Sequence, residues 1–180
     1  IYRIQTITGE RVSNIVIMGS GEPMDNYDNV VRFIRLISSE KGLNISQRNL
    51  TVSTCGIVPG ILKFAKEGLQ VTLALSLHAP NDEVRKTLMP VANSYRLEDI
   101  LDACHTYFEA TGRRLTFEYS LVKGVNDNLK EAAALTKLIK DQHGHVNLIP
   151  VNPIKERDYV QSDRRAIEAF RNYLEDHGIN

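Results

Sequence analysis

The amino-acid sequence predicts an α/β domain with about five parallel strands, each followed by a helix. Three observations carry that prediction. Short runs of β-branched and apolar residues recur along the chain, as in strands buried on both faces. Each run stops at small, polar, turn-forming residues. Apolar residues at helical spacing then follow. Such units join into a parallel sheet through right-handed crossovers. In an open doubly wound sheet or a barrel, ligands sit at the carboxyl ends of the strands.

Asn14–Met18 (NIVIM) reads as the first strand, broken by Gly19-Ser20-Gly21-Glu22-Pro23. Val30, Phe33, Ile34 and Ile37 mark a helix that Asp25 or Asn26 starts and Gly42 ends. Leu50–Ser53 is the second strand, followed by Thr54-Cys55-Gly56. Pro59 suits a first helical turn, and that helix ends near Gly68. Val71–Leu77 is the third strand, and Asn81 is a good N-cap for a short helix after it. A further helix carries Leu97, Ile100, Leu101, Cys104 and Phe108 on one stripe. Leu115–Leu121 is the fourth strand, with one of Glu118 and Tyr119 facing inward by alternation. Lys123–Asn128 is a polar loop and Glu131–Gln142 a helix. Val146–Pro150 is the fifth strand, leading to Val151-Asn152-Pro153, and Ile167, Phe170 and Leu174 mark a last helix.

No Gly-, Ser- or Pro-rich linker divides the 180 residues, so one domain is expected over 1–180. Lys+Arg and Asp+Glu both total 22, so overall charge points to no nucleic-acid grip. No apolar run approaches a membrane span. The two cysteines, Cys55 and Cys104, form neither a disulfide framework nor a zinc pattern. Free thiols and the lack of a signal peptide fit a cytoplasmic protein.

The strand ends suit a polar ligand. Gly19 and Gly21 let the backbone approach closely, and the Glu22 carboxylate accepts bonds from an ammonium or amino group. A plain strand-to-helix turn explains the same residues equally well. The segment is neither a P-loop nor a dinucleotide fingerprint, lacking Gly-Lys-Ser/Thr and a third glycine. Ser53 and Ser76 offer hydroxyls to a carboxylate or ribose, or to nearby backbone. His78 has no partner at metal spacing and reads as a hydrogen-bonded histidine whose backbone touches a ligand. Asn152 suits an adenine edge, a ribose or the turn itself. Cys55 lacks a neighbouring base and reads as an inert thiol.

The runs NIVIMGSGEPMDNYDNVVRFI, LTVSTCGIVPGI, LALSLHAPNDEVRKTLMPV, LTFEYSLVKGVND and VNLIPVNP resemble one family. It is the radical S-adenosylmethionine (SAM) RNA methyltransferases that modify carbon 2 of adenine in 23S ribosomal RNA and in transfer RNA. SLHAPNDE and VNLIPVNP are its specific signatures, whereas GEP alone is weak. The resemblance implies a partial radical SAM (β/α)6 barrel without its first strand and cluster loop. It implies that Gly21 and Glu22 hold the methionine amino group of SAM. It implies that Ser53 contacts SAM, that Ser76, Leu77 and His78 lie along it, and that Asn152 contacts it at the last strand, with Asn147 as the alternative match. The family also uses a [4Fe-4S] cluster held by C-x-x-x-C-x-x-C, and two further cysteines in methyl transfer.

None of those cysteines is present. The expectation is therefore an internal piece, starting near the helix after the cluster loop and inactive alone. An unpaired strand edge is then expected, leading to self-association or to a helix covering it. Two other classes compete. A phosphate-binding barrel enzyme such as an epimerase or aldolase would want a late glycine-rich loop, where Pro150–Pro153 stands instead. A non-catalytic RNA-binding module would want clustered cations and stacking aromatics, but Arg113-Arg114 and Arg164-Arg165 are only pairs.

Overall fold

The computed structural model describes residues 1–152 and 157–180. Five strands form one parallel sheet: β1 (Ile15–Ile17), β2 (Leu50–Thr54), β3 (Thr72–Ser76), β4 (Leu115–Leu121) and β5 (Gly144–Pro150). The helices are α1 (Tyr2–Thr8), α2 (Tyr27–Ser38), α3 (Val58–Ala65), α4 (Asp82–Leu88), α5 (Leu97–Thr111), α6 (Leu129–Ile139) and α7 (Arg164–Asp176).

The spatial order β1-β2-β3-β4-β5 never reverses. A doubly wound sheet needs a reversal to place helices on both faces. Crossovers of one hand in one direction leave the crossover helices on one face, which is barrel wiring. Side-chain burial agrees. Val52 on β2, Leu73 and Leu75 on β3, and Leu115, Phe117, Tyr119 and Leu121 on β4 are all in the core. Their alternates, Thr51, Ser53, Ser76, Thr116, Glu118 and Ser120, form a polar opposite face. The structure thus resolves the inward residue of the Glu118–Tyr119 pair as Glu118.

The core lies between the sheet and its helices. Phe64 of α3 stacks on Tyr107 of α5 at 5.7 Å, and the Tyr107 hydroxyl donates to Val71 O at 2.8 Å. Tyr119 of β4 meets Phe170 of α7 at 5.3 Å. Each fully buried Leu, Ile or Phe here contributes about 1.5–3 kcal/mol by leaving water.

Several element ends differ from the sequence reading. The helix expected from Glu131 begins at Leu129, because Asn128 Oδ1 accepts from Lys130 N and Glu131 N. The helix expected to reach Gly42 stops at Ser38. The chain then folds back so tightly that a side chain on Gly42 would meet Leu36 O at 2.7 Å. On α5 the fully buried aromatic is Tyr107, while Phe108 is half-buried against His143, ring centroids 4.0 Å apart.

β1 pairs only with β2 among the described residues. Its inward residue Val16 remains 57% exposed, and α1 buries none of its own residues. The expected open edge is present, and α1 does not seal it. No helix of the described residues is long and apolar enough to cross a membrane.

Candidate functional site

Register places the polar residues in rows across the inner face. Ser53 lies beside Ala74, which lies beside Thr116 and then His145. Ser76 lies beside Glu118, and Glu118 beside Asn147. Glu118 is buried, and its Oε2 accepts from Asn147 Nδ2 at 2.8 Å.

The β1 and β2 ends enclose a recess of about 210 Å³. Gly19, Gly21, Glu22, Ser53, Cys55 and Ser76 are among its lining. A second recess of about 270 Å³ shares the Gly19–Pro23 loop. Gly19 and Gly21 have φ of 136° and 93°, with open space where a side chain would stand. The loop therefore needs glycine for its backbone conformation and leaves room above it.

Glu22 fastens this loop. Its Oε1 accepts from Met24 N at 3.0 Å, capping the 3-10 turn Pro23–Asn26. Its Oε2 accepts from Cys55 N at 2.8 Å, tying the loop to the end of β2. Each carboxylate oxygen has a second lone pair for a ligand's N–H. Burial, and then the Glu22 contact, push the Cys55 thiol up to about 12. It is neutral at ordinary pH and is not an activated nucleophile.

The β3 and β4 ends are held differently. Arg85 of α4 is fully buried. Its Nε donates to Leu77 O at 3.1 Å, and its Nη2 donates to Ser76 O at 3.1 Å and to Cys55 O at 2.7 Å. One guanidinium thus joins the ends of β2 and β3. His78 follows with φ 57°, its amide donating to Glu118 O at 3.1 Å and its Nδ1 accepting from Ser120 N at 3.0 Å. Fully buried Asn126 donates from Nδ2 to His78 O and to Ser120 O, both at 2.8 Å, and accepts Val122 N at 2.7 Å.

The structure brings Gly21, Glu22, Ser53 and Ser76 around one recess. His78 stands at the next strand-end turn. The Leu77 side chain lies in the apolar core, leaving only its backbone at the sheet edge. Asn152 is exposed beyond β5, outside that recess and four strands away from β1 on the sheet. Pro153, expected beside it, lies outside the described residues.

Sequence reasoning missed Arg85 and Asn126. Arg85 sits in a short polar helix, where an arginine ordinarily reads as solvated. Asn126 sits in a polar loop whose composition suggested only a turn. The Val-Asn-Asp-Asn run was the available signal, since buried asparagines organise such loops.

The cysteines do not form a cluster ligand set. Cys55 ends β2, while Cys104 is buried in α5 with its thiol raised to about 12 by burial. Among the described residues no three His, Cys, Asp or Glu side chains gather closely enough to hold a metal ion.

Comparison with known proteins agrees with this geometry. Residues 1–136 match the model of the Radical SAM superfamily. A probable dual-specificity RNA methyltransferase RlmN from Lachnospira eligens is 64% identical over 180 residues, covering 100% of this chain and 51% of the relative. A protein of the same description from Lachnoclostridium phytofermentans is 65% identical, with 100% and 51% coverage. The crystal structure of a radical SAM methyltransferase from Sphaerobacter thermophilus superposes with a TM-score of 0.94 at 42% identity, covering 98% of this chain and 52% of that one. The chain spans about half the length of the curated relatives it matches.

Proposed function

The chain belongs to the radical SAM superfamily, and from that premise we propose that its strand-end recess holds SAM as part of an RNA methyltransferase acting on carbon 2 of adenine. The observation that carries the reading is the convergence of Glu22, Ser53 and Ser76 on one recess at the carboxyl ends of parallel strands. Glu22 and the Gly21 backbone take the methionine ammonium. Ser53 and Ser76 offer hydroxyls to the carboxylate and ribose. Leu77 contributes backbone, His78 stands over the next turn, and Asn152 meets the far end of the ligand.

Bound SAM would supply the methyl group and the radical chemistry, and a [4Fe-4S] cluster would supply the electron. This chain's residues do not fit the cluster, because two separated cysteines cannot supply a three-thiolate set. Its part is to bind and orient. Residues 1–180 then act as the SAM-holding portion of a larger catalytic core, in the cytoplasm, on 23S ribosomal RNA and transfer RNA. The RNA methyltransferase relatives, identical at 64% and 65% of positions, support that substrate class over a phosphate-binding barrel enzyme.

Two experiments test the reading. Calorimetric titration of SAM into this chain should show weak, saturable binding. Glu22→Ala and Ser53→Ala should weaken it further, and no heat at millimolar SAM would overturn the recess assignment. Exchanging the chain for the matching half of the Lachnospira eligens relative should preserve adenine C2 methylation of RNA. A folded, SAM-binding chimera that methylates no adenine would overturn the assigned reaction.

A further inference from the structure

We propose that the start of α7 and the strap before it form a contact surface for the phosphate backbone of RNA, with Arg164 and Arg165 as its principal cations. The proposal rests on the RNA reading above and adds a place to it. Two arginine pairs stand at opposite edges of the sheet. Arg113 and Arg114 directly precede β4, at the amino edge. The strap, residues 157–163, lies at the carboxyl edge. Val122, the first residue after β4, forms an antiparallel bridge with Gln161, and Lys123 N donates to Val160 O at 2.9 Å. Arg164 and Arg165 open α7 straight after that strap. The second pair therefore shares the edge that carries the candidate recess.

The two pairs are bonded differently. Arg113 Nη2 donates to Thr72 Oγ1 at 3.0 Å and to Arg48 O at 3.4 Å, and Arg114 Nη2 donates to Gly144 O at 3.4 Å. Those guanidinium groups tie strand starts together. Arg164 reaches Glu168, one turn along its own helix, and its side chain is 91% exposed. Arg165 is exposed as well. Helix stability does not account for this second pair. α2, α4, α5 and α6 each carry Asp or Glu in the first turn, where the helix dipole favours negative charge. α7 has no acid there and begins with two cations instead.

The neighbouring segments add cations and apolar faces. Lys123 and Lys130 at the two ends of the loop after β4 are exposed, and so is Arg157 in the strap. Two of the acids there are already engaged. Asp163 pairs with Lys123 at 3.0 Å, and Asp127 Oδ1 accepts Gly124 N at 2.9 Å. Asp158 is exposed between Arg157 and Tyr159. Val160 is 56% exposed, and the half-buried Tyr159 ring has the Arg157 guanidinium 5.8 Å from its centroid. Cations interleaved with an aromatic ring and an apolar side chain suit single-stranded RNA. Its phosphates meet the cations, and its unpaired bases rest on the apolar faces.

Position selects RNA over other polyanions. A methyl acceptor has to reach the carboxyl edge of the sheet, so the RNA strand that carries it crosses that edge. Strands are spaced about 4.8 Å apart, so the end of β4 lies roughly 14 Å across the sheet from β1. Nucleotides beside the target pass within reach of cations at that distance. Lys+Arg and Asp+Glu balance over the whole chain, so a local basic border is what draws RNA to this edge.

The test is fluorescence anisotropy of a labelled RNA hairpin with adenines in its loop, titrated with this chain at several salt concentrations. The wild-type chain should bind, with affinity falling as salt rises. Arg164→Gln together with Arg165→Gln should weaken binding about 10-fold at low salt. The slope of log affinity against log salt should flatten by about 1–2, near one for each lost phosphate contact. The urea midpoint should hold or rise slightly, because the removed cations oppose the helix dipole. A merely structural role would lower it. SAM calorimetry should not change. Arg48→Gln together with Arg114→Gln, the same loss of charge at the amino edge, should leave RNA binding intact. Full RNA binding by the Arg164 and Arg165 double variant would overturn the proposal and leave the RNA reading standing. Equal losses from the two double variants would also overturn it, by showing a diffuse charge effect. Competition by polyglutamate as strong as by unlabelled RNA would overturn it in favour of an acidic protein partner. Failure of the wild-type chain to bind RNA at low salt would overturn it too, while methylation by the chimera judges the reaction separately.

Discussion

The two sides of the candidate site reach the sheet edge by opposite means. After β1 the chain uses glycine. Gly19 and Gly21 stand at left-handed φ with open space around them, and one carboxylate, Glu22, fastens the loop. After β3 and β4 the chain uses buried polar side chains. Arg85 joins three carbonyls and Asn126 joins two, around a histidine that is itself at left-handed φ. The first side is permissive and gives a ligand room. The second is over-determined and gives a ligand a fixed edge.

That contrast orders the expected effects of substitution. Arg85→Met should be the most damaging, removing the guanidinium from the Cys55, Ser76 and Leu77 carbonyls. A loss of about 3–4 kcal/mol is expected in urea unfolding, with Arg85→Lys restoring only part, because an ammonium cannot reproduce the fork. A near-neutral Arg85→Met would mean that the second side is not locked as described.

The next effect is acid lability of the same side. His78 titrates at about 4 in the folded chain, against 6.5 for the ordinary group. Between those values the unfolded chain takes up a proton that the folded chain refuses, so stability rises with pH across that window. Acidification from pH 7 to 4 should cost roughly 3 kcal/mol through this group. His78→Asn, which tolerates left-handed backbone, should flatten that limb of the curve of unfolding midpoint against pH.

On the permissive side, Glu22→Gln should cost less, about 1–2 kcal/mol. It turns an amide toward one of two backbone N–H groups, and calorimetry should show SAM binding falling more than stability does. Gly21→Ala should cost about 1 kcal/mol, from backbone strain alone, because nothing crowds the site. Gly56→Ala should exceed it, since Ile100 Cδ1 would lie 3.0 Å from the new methyl group. Equal losses at the two glycines would show that conformation, not crowding, governs both.

The smallest stability effect is expected at the open edge. Val16→Lys leaves the core untouched yet places a charge on the unpaired β1 strand. Light scattering should show wild-type chain associating with concentration and the variant associating less. A wild-type chain that stays monomeric at high concentration would overturn the edge-pairing expectation.

Much of this was legible in the residues themselves. Apolar runs marked five strands, and glycine-rich or polar breaks marked their ends, because strand burial and turn chemistry are local properties. Glu22, Ser53 and Ser76 were visible as candidates because each closes or follows such a run. Arg85 was not, since nothing local distinguishes a buried arginine from a solvated one on a short helix. Its role depends on Cys55, thirty residues earlier at the end of β2, and on Leu77 O in the turn after β3.

The sequence by itself therefore determined the alternation of strands and helices, the chemistry at the strand ends and the family. The tertiary structure alone decided that the sheet is wound in one direction, that its inner face is polar, and that Glu22 closes onto β2. It also decided that Arg85 and Asn126 hold the β3–β4 side. The physical reason is range. Propensity and periodicity act over a few residues, whereas a buried hydrogen bond is specified by whichever distant backbone group the packed helices bring within 3 Å.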